Sequence, residues 1–231
     1  MLRTCIFLIC AFLISIPGTT AGQLPDLPKI GKDEVRVFLV RHGQSFGNVP
    51  AAEIPAGQAR DALTERGQEQ AVDLARLLAG QPVAALISSE TQRTAATLAP
   101  LAQQSGLPVS QSSAFNKMKL GQKPDGEPAS WNWRVQQWQQ DTDPRSLDGE
   151  SLYDVGCRAF RAIQALENLA GQAVVISSHG DVIAAMCGSA DNAPSWDRWP
   201  QYECVTGSVQ VIDIELGGPA TLRAFNIEPN E

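Results

Sequence analysis

The chain has 231 residues, a formal net charge of −7 and an isoelectric point near 4.9. A hydrophobic content of 43% with 19% charged residues is typical of a globular protein and excludes a disordered or fibrous chain. The acidic balance excludes an extended nucleic-acid interface, which needs a basic face. Any anionic ligand must therefore be bound by a local cluster of positive groups.

The N-terminus has the pattern of a secretory signal peptide. "MLRT" supplies a positive start, residues 5–17 form an apolar core, and "GTTAG" is a small-residue exit with Ala21 as the expected last signal residue. The apolar core is short for a stable membrane anchor, because a spanning helix needs about 20 apolar residues. We therefore expect a signal peptide at 1–21, a linker at 22–33 and one domain at 34–231, secreted or periplasmic.

Cysteine usage fits export only loosely. After removal of residues 1–21 the cysteines that remain are Cys157, Cys187 and Cys204, an odd number. One interpretation is a disulfide between Cys187 and Cys204. The other is that all of them are buried free thiols.

Strand and helix patterns then alternate along the chain. Thr64 is the expected cap of the first helix, and Ser151 with Asp154 three residues on has capping-box spacing. The predicted elements are a strand at 34–40, a helix at 62–80, a strand at 82–90, helices at 91–106 and 151–171, a strand at 172–180, a helix at 181–188 and edge-type strands at 208–216 and 221–227. This order predicts an α/β fold, a mostly parallel sheet flanked by helices on both faces.

Residues 110–150 interrupt the pattern. They contain Trp131, Trp133 and Trp138, few aliphatic residues and many Pro, Gly and Asp residues. We expect an inserted cap-like excursion over the sheet edge, where a lid or specificity cap usually lies. At least one of the tryptophans is expected to serve only to pack the excursion onto the domain.

Polar motifs follow three of the predicted parallel strands. The strands end in "RHG", "SSE" and "SHG", and ligands of parallel sheets gather at these carboxyl ends. The chain has two histidines, His42 and His179, and both lie there. Neutral imidazole is a nucleophile near neutral pH, and guanidinium groups bind phosphate oxygens. His42 with Arg41, Arg93 and His179 therefore predicts phosphoryl chemistry.

Two further residues are candidates for substrate binding. Asn48 lies in the loop after "RHG", and Gly180 follows the second histidine. A metal site is not expected, since neither histidine has a carboxylate or cysteine at ligand spacing. A serine hydrolase is not expected either, because the chain has no "GxSxG" elbow.

Five segments together resemble a known family. "LVRHGQS", "LTERGQEQA", "ISSETQRTAAT", "DGESLYDV" and "VISSHGD" are similar, in consistent order over about 35–214, to the histidine phosphatase superfamily in its phosphoglycerate mutase-related branch. The resemblance implies that His42 becomes a phosphohistidine and that Arg41, Arg93 and His179 form the phosphate pocket, with Asn48 as a secondary contact. It also implies that no metal or organic cofactor is required.

The chain departs from this family at one position. Members of the branch usually carry a glutamate proton donor in a segment resembling "LxExxxG", which here is "FNKMKLG", with Lys117 at that position. Glu127 is a candidate donor that could reach back from the excursion, and Asp125 and Asp181 are alternatives. Lys117, together with Lys119 and Lys123, is a candidate for binding a second anionic group of the substrate; the alternative is that these lysines form a solvated basic strip that improves solubility.

These observations predict an exported phosphomonoesterase that acts on a small-molecule phosphate ester, with water as the final acceptor. A mutase is less expected, because export separates the protein from glycolytic intermediates. The alternative is a phosphate-ester-binding module whose catalysis is weakened by Lys117. In either case the expected partner is a small phosphate ester, without nucleic acid and without a stable membrane anchor after signal cleavage.

Overall fold

The computed structural model describes residues 22–192 and 201–229. The predicted signal peptide at 1–21 and the last residues of the predicted domain, 230–231, lie outside the described residues. The predicted linker contains no helix or strand, but Leu24, Leu27 and Ile30 pack against the core. In the described part of the chain, no helix has the length and apolarity needed to cross a membrane.

A mixed sheet lies at the centre of the described structure. Its strands are β1 (Glu34–Arg41), β2 (Val83–Ser88), β3 (Val109–Gln111), β4 (Ala173–Ser178), β5 (Val209–Glu215) and β6 (Ala220–Ile227). Their order across the sheet is β3-β2-β4-β1-β5-β6. The strands β3, β2, β4 and β1 pair in parallel. Strand β5 runs antiparallel to both of its neighbours, β1 and β6. The predicted mostly parallel sheet is confirmed.

Helices cover both faces of this sheet. They are α1 (Glu65–Leu77), α2 (Gln92–Ser105), α3 (Trp131–Gln139), α4 (Leu152–Gln164) and α5 (Gly180–Ala190). Side chains of β1 alternate between the faces: Val37 and Leu39 pack with α4 and α5, and Phe38 and Val40 pack with α1 and α2. This alternation follows from the period of two in a strand, and it explains the uninterrupted apolar sequence of a strand buried on both faces.

Two predicted elements differ in detail. Strand β5 is not an edge strand, because it pairs with β1 on one side and β6 on the other, and it is buried over most of its length. The helix predicted at 151–171 ends at Gln164, and a short 3-10 turn, Glu167–Leu169, follows it. Its start is as predicted, since Ser151 and Asp154 form the capping box.

The excursion at 110–150 is a packed part of the domain that contains helix α3. The side chain of Arg134 is fully buried within it and binds several of its segments. The Arg134 guanidinium donates to the carbonyl oxygens of Leu120, Pro144 and Glu150 and to the hydroxyl of Ser146. Trp138 is also fully buried and joins the main core, so it packs the excursion onto the domain as expected of one tryptophan.

The suggested disulfide is not present. Cys157, Cys187 and Cys204 are free thiols, of which Cys187 and Cys204 are buried and Cys157 is partly exposed. Burial raises the pKa of the Cys204 thiol to about 11, so the group stays protonated at neutral pH. The free-thiol interpretation therefore describes the structure, except that Cys157 is not fully buried.

Candidate active site

The three motif-bearing strand ends lie side by side. Strand β4 lies between β2 and β1, and the register pairs Arg41 with Ser178 and Ser88 with Ser177. The residues that follow these strands therefore emerge at the same edge of the sheet. This is the crevice that the sequence predicted.

Two glycines allow the backbone of the loop after β1 to lie directly against helix α1. A Cβ on Gly43 would lie 2.6 Å from the Gly67 carbonyl oxygen, and one on Gly67 would lie 2.0 Å from the Gln44 carbonyl oxygen. The backbone N–H of Gly43 also donates to Thr97 Oγ1 at 2.9 Å, which ties the loop to helix α2. These contacts fix the backbone that carries His42.

A cavity of approximately 290 Å³ opens at this edge. Its lining comprises Arg41, His42, Asn48, Arg93, Lys117, Trp131, His179, Gly180, Asp181, Glu203 and Cys204. The structure thus brings together every predicted site residue except Glu127. Within the described residues, no group of three or more His, Cys, Asp or Glu side chains is arranged to hold a metal ion.

His42 presents an unprotonated ring nitrogen to the cavity. Its Nδ1 lies 2.8 Å from the Gly43 carbonyl oxygen, which can only accept, so Nδ1 carries the proton and Nε2 carries the lone pair. Burial lowers the pKa of His42 to about 3, and the positive charges of Arg93 and Arg41 act in the same direction against the Gly43 hydrogen bond. The imidazole is therefore neutral at pH 7, as a nucleophile must be.

His179 is held in the other tautomer. Arg93 Nη2 donates to its Nδ1 at 3.2 Å, so the proton is on Nε2, which lies 2.9 Å from Ser89 Oγ. Burial lowers the pKa of His179 to about 2, and the proximity of the His42 imidazole and the positive charges of Arg93 and Lys117 act in the same direction. The two imidazole rings lie with their centroids 5.3 Å apart. They can therefore contact the same small group.

Asp61 orients Arg93 and Ser89 orients His179, and neither residue was singled out from the sequence. Asp61 Oδ1 accepts from Arg93 Nη1 at 2.8 Å, and its other oxygen accepts from the Gln92 backbone N–H at 2.7 Å. Ser89 lies in the "SSE" motif directly after β2, which is the signal that could have identified it. Asp61 lies in a loop without periodicity, so no pattern indicates it.

Arg41 and Arg93 each have N–H groups that can donate hydrogen bonds to an anion. Arg41 Nη1 donates to the Cys204 carbonyl oxygen. In the described part of the chain, the buried Nε atoms of Arg41 and Arg93 have no hydrogen-bond partner. A buried donor without a partner costs about 1–3 kcal/mol, so an anion that accepts from these groups is stabilised.

Asn48 and Gly180 complete the donor set. Asn48 Oδ1 accepts from the backbone N–H of Ser45 at 3.0 Å and from Ser45 Oγ at 2.9 Å, and among the residues that the structure describes its NH₂ group has no partner, so it can bind a ligand. Gly180 begins helix α5, and a Cβ there would lie 3.7 Å from the Arg41 guanidinium carbon. The first turn of α5 adds a partial positive charge at the cavity wall.

The acidic candidates occupy different places. Glu127 is exposed at the tip of a turn, where its carbonyl oxygen accepts from the Lys123 backbone N–H at 2.7 Å and its own N–H donates to Asp125 Oδ1 at 3.1 Å. The structure therefore does not support the prediction of Glu127 as proton donor. Asp181 is buried in the cavity wall, and Glu203, which the sequence analysis did not single out, also lines the cavity.

Comparison with known proteins identifies the family. The family model of the histidine phosphatase superfamily (branch 1) matches residues 37–227. The curated relatives include the "Probable phosphoglycerate mutase GpmB" of Shigella dysenteriae serotype 1 (strain Sd197), which is 27% identical over 168 residues, covering 70% of this chain and 77% of that protein.

Solved structures show the same fold. The alpha-ribazole phosphatase from Shigella flexneri is 26% identical with a TM-score of 0.63, and the match covers 85% of this chain and 98% of that one. A protein described as mycobacterial hydrolase 2 is 24% identical with a TM-score of 0.67, covering 84% and 91% of the two chains. The chain therefore belongs to the histidine phosphatase superfamily (branch 1), and membership of this family supports phosphoryl-transfer chemistry.

Proposed function

We propose that the protein is a phosphomonoesterase that hydrolyses a small phosphate ester through a phosphohistidine on His42. The observation that carries this proposal is the unprotonated Nε2 of a buried, neutral His42 in a cavity where two guanidinium groups retain unpartnered Nε donors. A nucleophile and an anion-binding set in one small cavity are what phosphoryl transfer requires.

The first half of the reaction moves the phosphoryl group to the protein. His42 Nε2 attacks phosphorus, the Nε2–P bond forms and the ester P–O bond breaks. The ester oxygen leaves with the bonding electron pair and takes up one proton to become the alcohol. Arg41, Arg93 and the Asn48 amide bind the phosphoryl oxygens, and their positions do not change as charge develops. The Gly43 carbonyl oxygen holds the Nδ1 proton throughout, which stabilises the positive charge on the phosphorylated ring.

The second half returns the protein to its starting state. Water attacks phosphorus, the N–P bond breaks and inorganic phosphate leaves. In the structure, Arg93 Nη2 donates to His179 Nδ1. A bound phosphoryl dianion favours the protonated form of His179, because an opposite charge at close range stabilises the imidazolium. His179 then donates to the phosphoryl group through Nδ1.

The alternative function is binding of a phosphate ester without efficient turnover. It is favoured by one observation: Glu127 lies outside the cavity and Lys117 lines it. We also propose that the mature protein is exported, and the support for this is the signal-peptide pattern of residues 1–21 alone.

Turnover of an activated aryl phosphate tests the proposal. We expect purified wild-type protein to release the phenol and inorganic phosphate in equal amounts, and we expect His42→Ala to reduce this to background while the folded protein persists in circular dichroism. Lys119→Ala serves as the control, since Lys119 is exposed and does not line the cavity. Binding of inorganic phosphate without any turnover by the wild type would favour the binding module.

A further inference from the structure

A departing alkoxide needs a proton, and the carboxyl groups that line the cavity are poorly placed to supply it. Both oxygens of Asp181 are occupied: Oδ2 accepts from the Met118 backbone N–H and Oδ1 from that of Val182 at 3.0 Å. Burial raises the pKa of Asp181, but both of its oxygens are held by these backbone N–H groups, which oppose that rise and fix the carboxyl group in the wall. Glu203 precedes Cys204, whose carbonyl oxygen accepts from Arg41, so Glu203 lies on the Arg41 side of the cavity.

The segment that carries Lys117 is anchored on both sides. Before it, the Asn116 carbonyl oxygen accepts from Arg158 Nη2, and the Asn116 amide exchanges two hydrogen bonds with Glu90, at 2.8 and 2.9 Å. After it, the Met118 backbone N–H is bound by the buried Asp181, and the Met118 side chain is in the core. These contacts fix the backbone that carries Lys117 at the edge of the cavity.

Lys117 is distinguished from its neighbouring lysines by its position. It lines the cavity, and its charge acts on His179 from that side. Lys119 does not line the cavity, and Lys123 pairs with Asp125 at 3.2 Å. An ammonium has three N–H donors on a flexible stem and can follow an ester oxygen as it leaves.

We propose that Lys117 is the proton donor to the leaving group at this site. Its ammonium donates a hydrogen bond to the ester oxygen and transfers a proton to that oxygen as the ester bond breaks and the His42 Nε2–P bond forms. The resulting amine regains a proton from the solvent. Water then attacks phosphorus and gives up its proton to the solvent, the N–P bond breaks and phosphate leaves, a step that is the same for every ester. This inference rests on the proposed phosphomonoesterase function.

The test compares a good leaving group with a poor one. The aryloxide of an aryl phosphate leaves without proton transfer, whereas the alkoxide of an alkyl phosphate needs a proton. General acid catalysis contributes roughly 10²–10⁴-fold to the rate. We expect Lys117→Ala to lower kcat for an alkyl phosphate by about 10²-fold or more and kcat for p-nitrophenyl phosphate by less than about 10-fold. Lys119→Ala is the matched control and is expected to change neither rate.

A second variant separates proton transfer from charge alone. Lys117→Arg keeps the positive charge, but a guanidinium does not give up its proton, so we expect kcat for the alkyl phosphate to stay low. Lys117→Glu supplies a carboxyl group, and we expect it to restore part of the alkyl phosphate turnover at acid pH and to lose it as pH rises.

Three results would overturn the inference. One is an equal loss for both substrates in Lys117→Ala, which would indicate binding of the phosphoryl group alone. Another is full activity of Lys117→Arg on the alkyl phosphate. The third is a selective loss in Glu203→Gln with Lys117→Ala unaffected, which would assign the proton to Glu203. Failure of the proposed function is distinguishable from all of these, because wild-type protein would then not turn over p-nitrophenyl phosphate.

Discussion

At the scale of single residues, the site contains two imidazole side chains in different tautomers. His42 and His179 are both buried and neutral, yet their protons are on different nitrogens because their partners differ. A carbonyl oxygen holds the proton of His42 on Nδ1, and the Arg93 guanidinium, which only donates, forces the proton of His179 onto Nε2. The first arrangement exposes a nucleophilic lone pair, and the second holds an imidazole against an arginine.

Burial of these imidazoles makes stability depend on pH. The pKa values are about 3 for His42 and about 2 for His179, below the usual value of 6.5. Below pH 6.5 the unfolded chain takes up protons that the folded protein does not, so the free energy of unfolding rises with pH in this window and falls as the solution is acidified. We expect this loss to begin near pH 6.5, above the range where ordinary carboxyl groups titrate.

Denaturant unfolding of wild type and His179→Asn between pH 7 and 5 checks the effect. The chain has two histidines, so the variant has only His42 left to titrate in this window, and we expect its stability to change less with pH. Lys119→Ala, which removes an exposed charge outside the cavity, is expected to keep the wild-type slope. Identical slopes for wild type and His179→Asn would contradict the neutral, buried assignment.

The sequence indicated the residues of the site that follow regular elements. Arg41, His42 and His179 could be placed because parallel strands bring their carboxyl ends to one edge, and Arg93 because it lies in the first turn of the helix that follows β2. Asp61 could not be predicted, since a loop without periodicity does not reveal where it folds back. Glu127 does not line the cavity, because the turn that holds it closes on itself, so closeness in sequence to Lys117 does not bring it to the site.

At the scale of elements, the position of His42 depends on the close approach of a loop and a helix end. Thr64 caps helix α1 as predicted, its Oγ1 accepting from the Gly67 N–H at 3.1 Å. That first turn has no side chain at Gly67, so the backbone of the loop at Gln44 lies directly on it. A helix interior normally favours alanine over glycine, so glycine here is explained by the contact and not by the helix.

Two glycine-to-alanine changes test this interpretation. In Gly67→Ala the new Cβ would lie 2.0 Å from the Gln44 carbonyl oxygen, so we expect a destabilisation of about 1–3 kcal/mol and a loss of turnover as the loop moves. In Gly156→Ala, within helix α4, the nearest atom is 3.6 Å away, so we expect a stabilisation of about 0.4–1 kcal/mol with unchanged turnover.

Urea unfolding and turnover measured on the same preparations decide the comparison. Equal stability of Gly67→Ala and wild type would mean that the loop does not depend on this contact. The pair is matched because both residues lie within helices and gain only one methyl group.

Among the elements, the alternation of strands and helices was predictable and the pairing partners were not. The two-residue period marked β5 as a strand, but only the sheet shows that β6 covers its outer side. Helix α3 was not predicted, because a short segment rich in Trp and Gln has a weak helical pattern. It is organised by a buried arginine, a tertiary contact that no local pattern reveals.

At the scale of the whole molecule, an acidic chain encloses a basic cavity. The net charge is −7, yet the cavity gathers Arg41, Arg93 and Lys117 within approximately 290 Å³. Physiological salt screens charges over about 8 Å, so an anion inside the cavity is attracted by the nearby cations and feels little of the distant acidic surface. The excursion at 110–150 contributes Lys117 and Trp131 to the rim, so it is the part of the fold best placed to select the substrate.

The most direct test of the central claim is to trap the phosphorylated protein during turnover. Protein mixed with substrate is quenched in alkali, in which phosphohistidine persists, and its intact mass and phosphorylated peptide are measured. We predict one phosphoryl group on the peptide that contains His42, its loss after brief acid treatment, and its absence in His42→Asn. A phosphoryl group that survives acid or lies on another residue, or steady turnover by a protein that never carries one, would contradict the account.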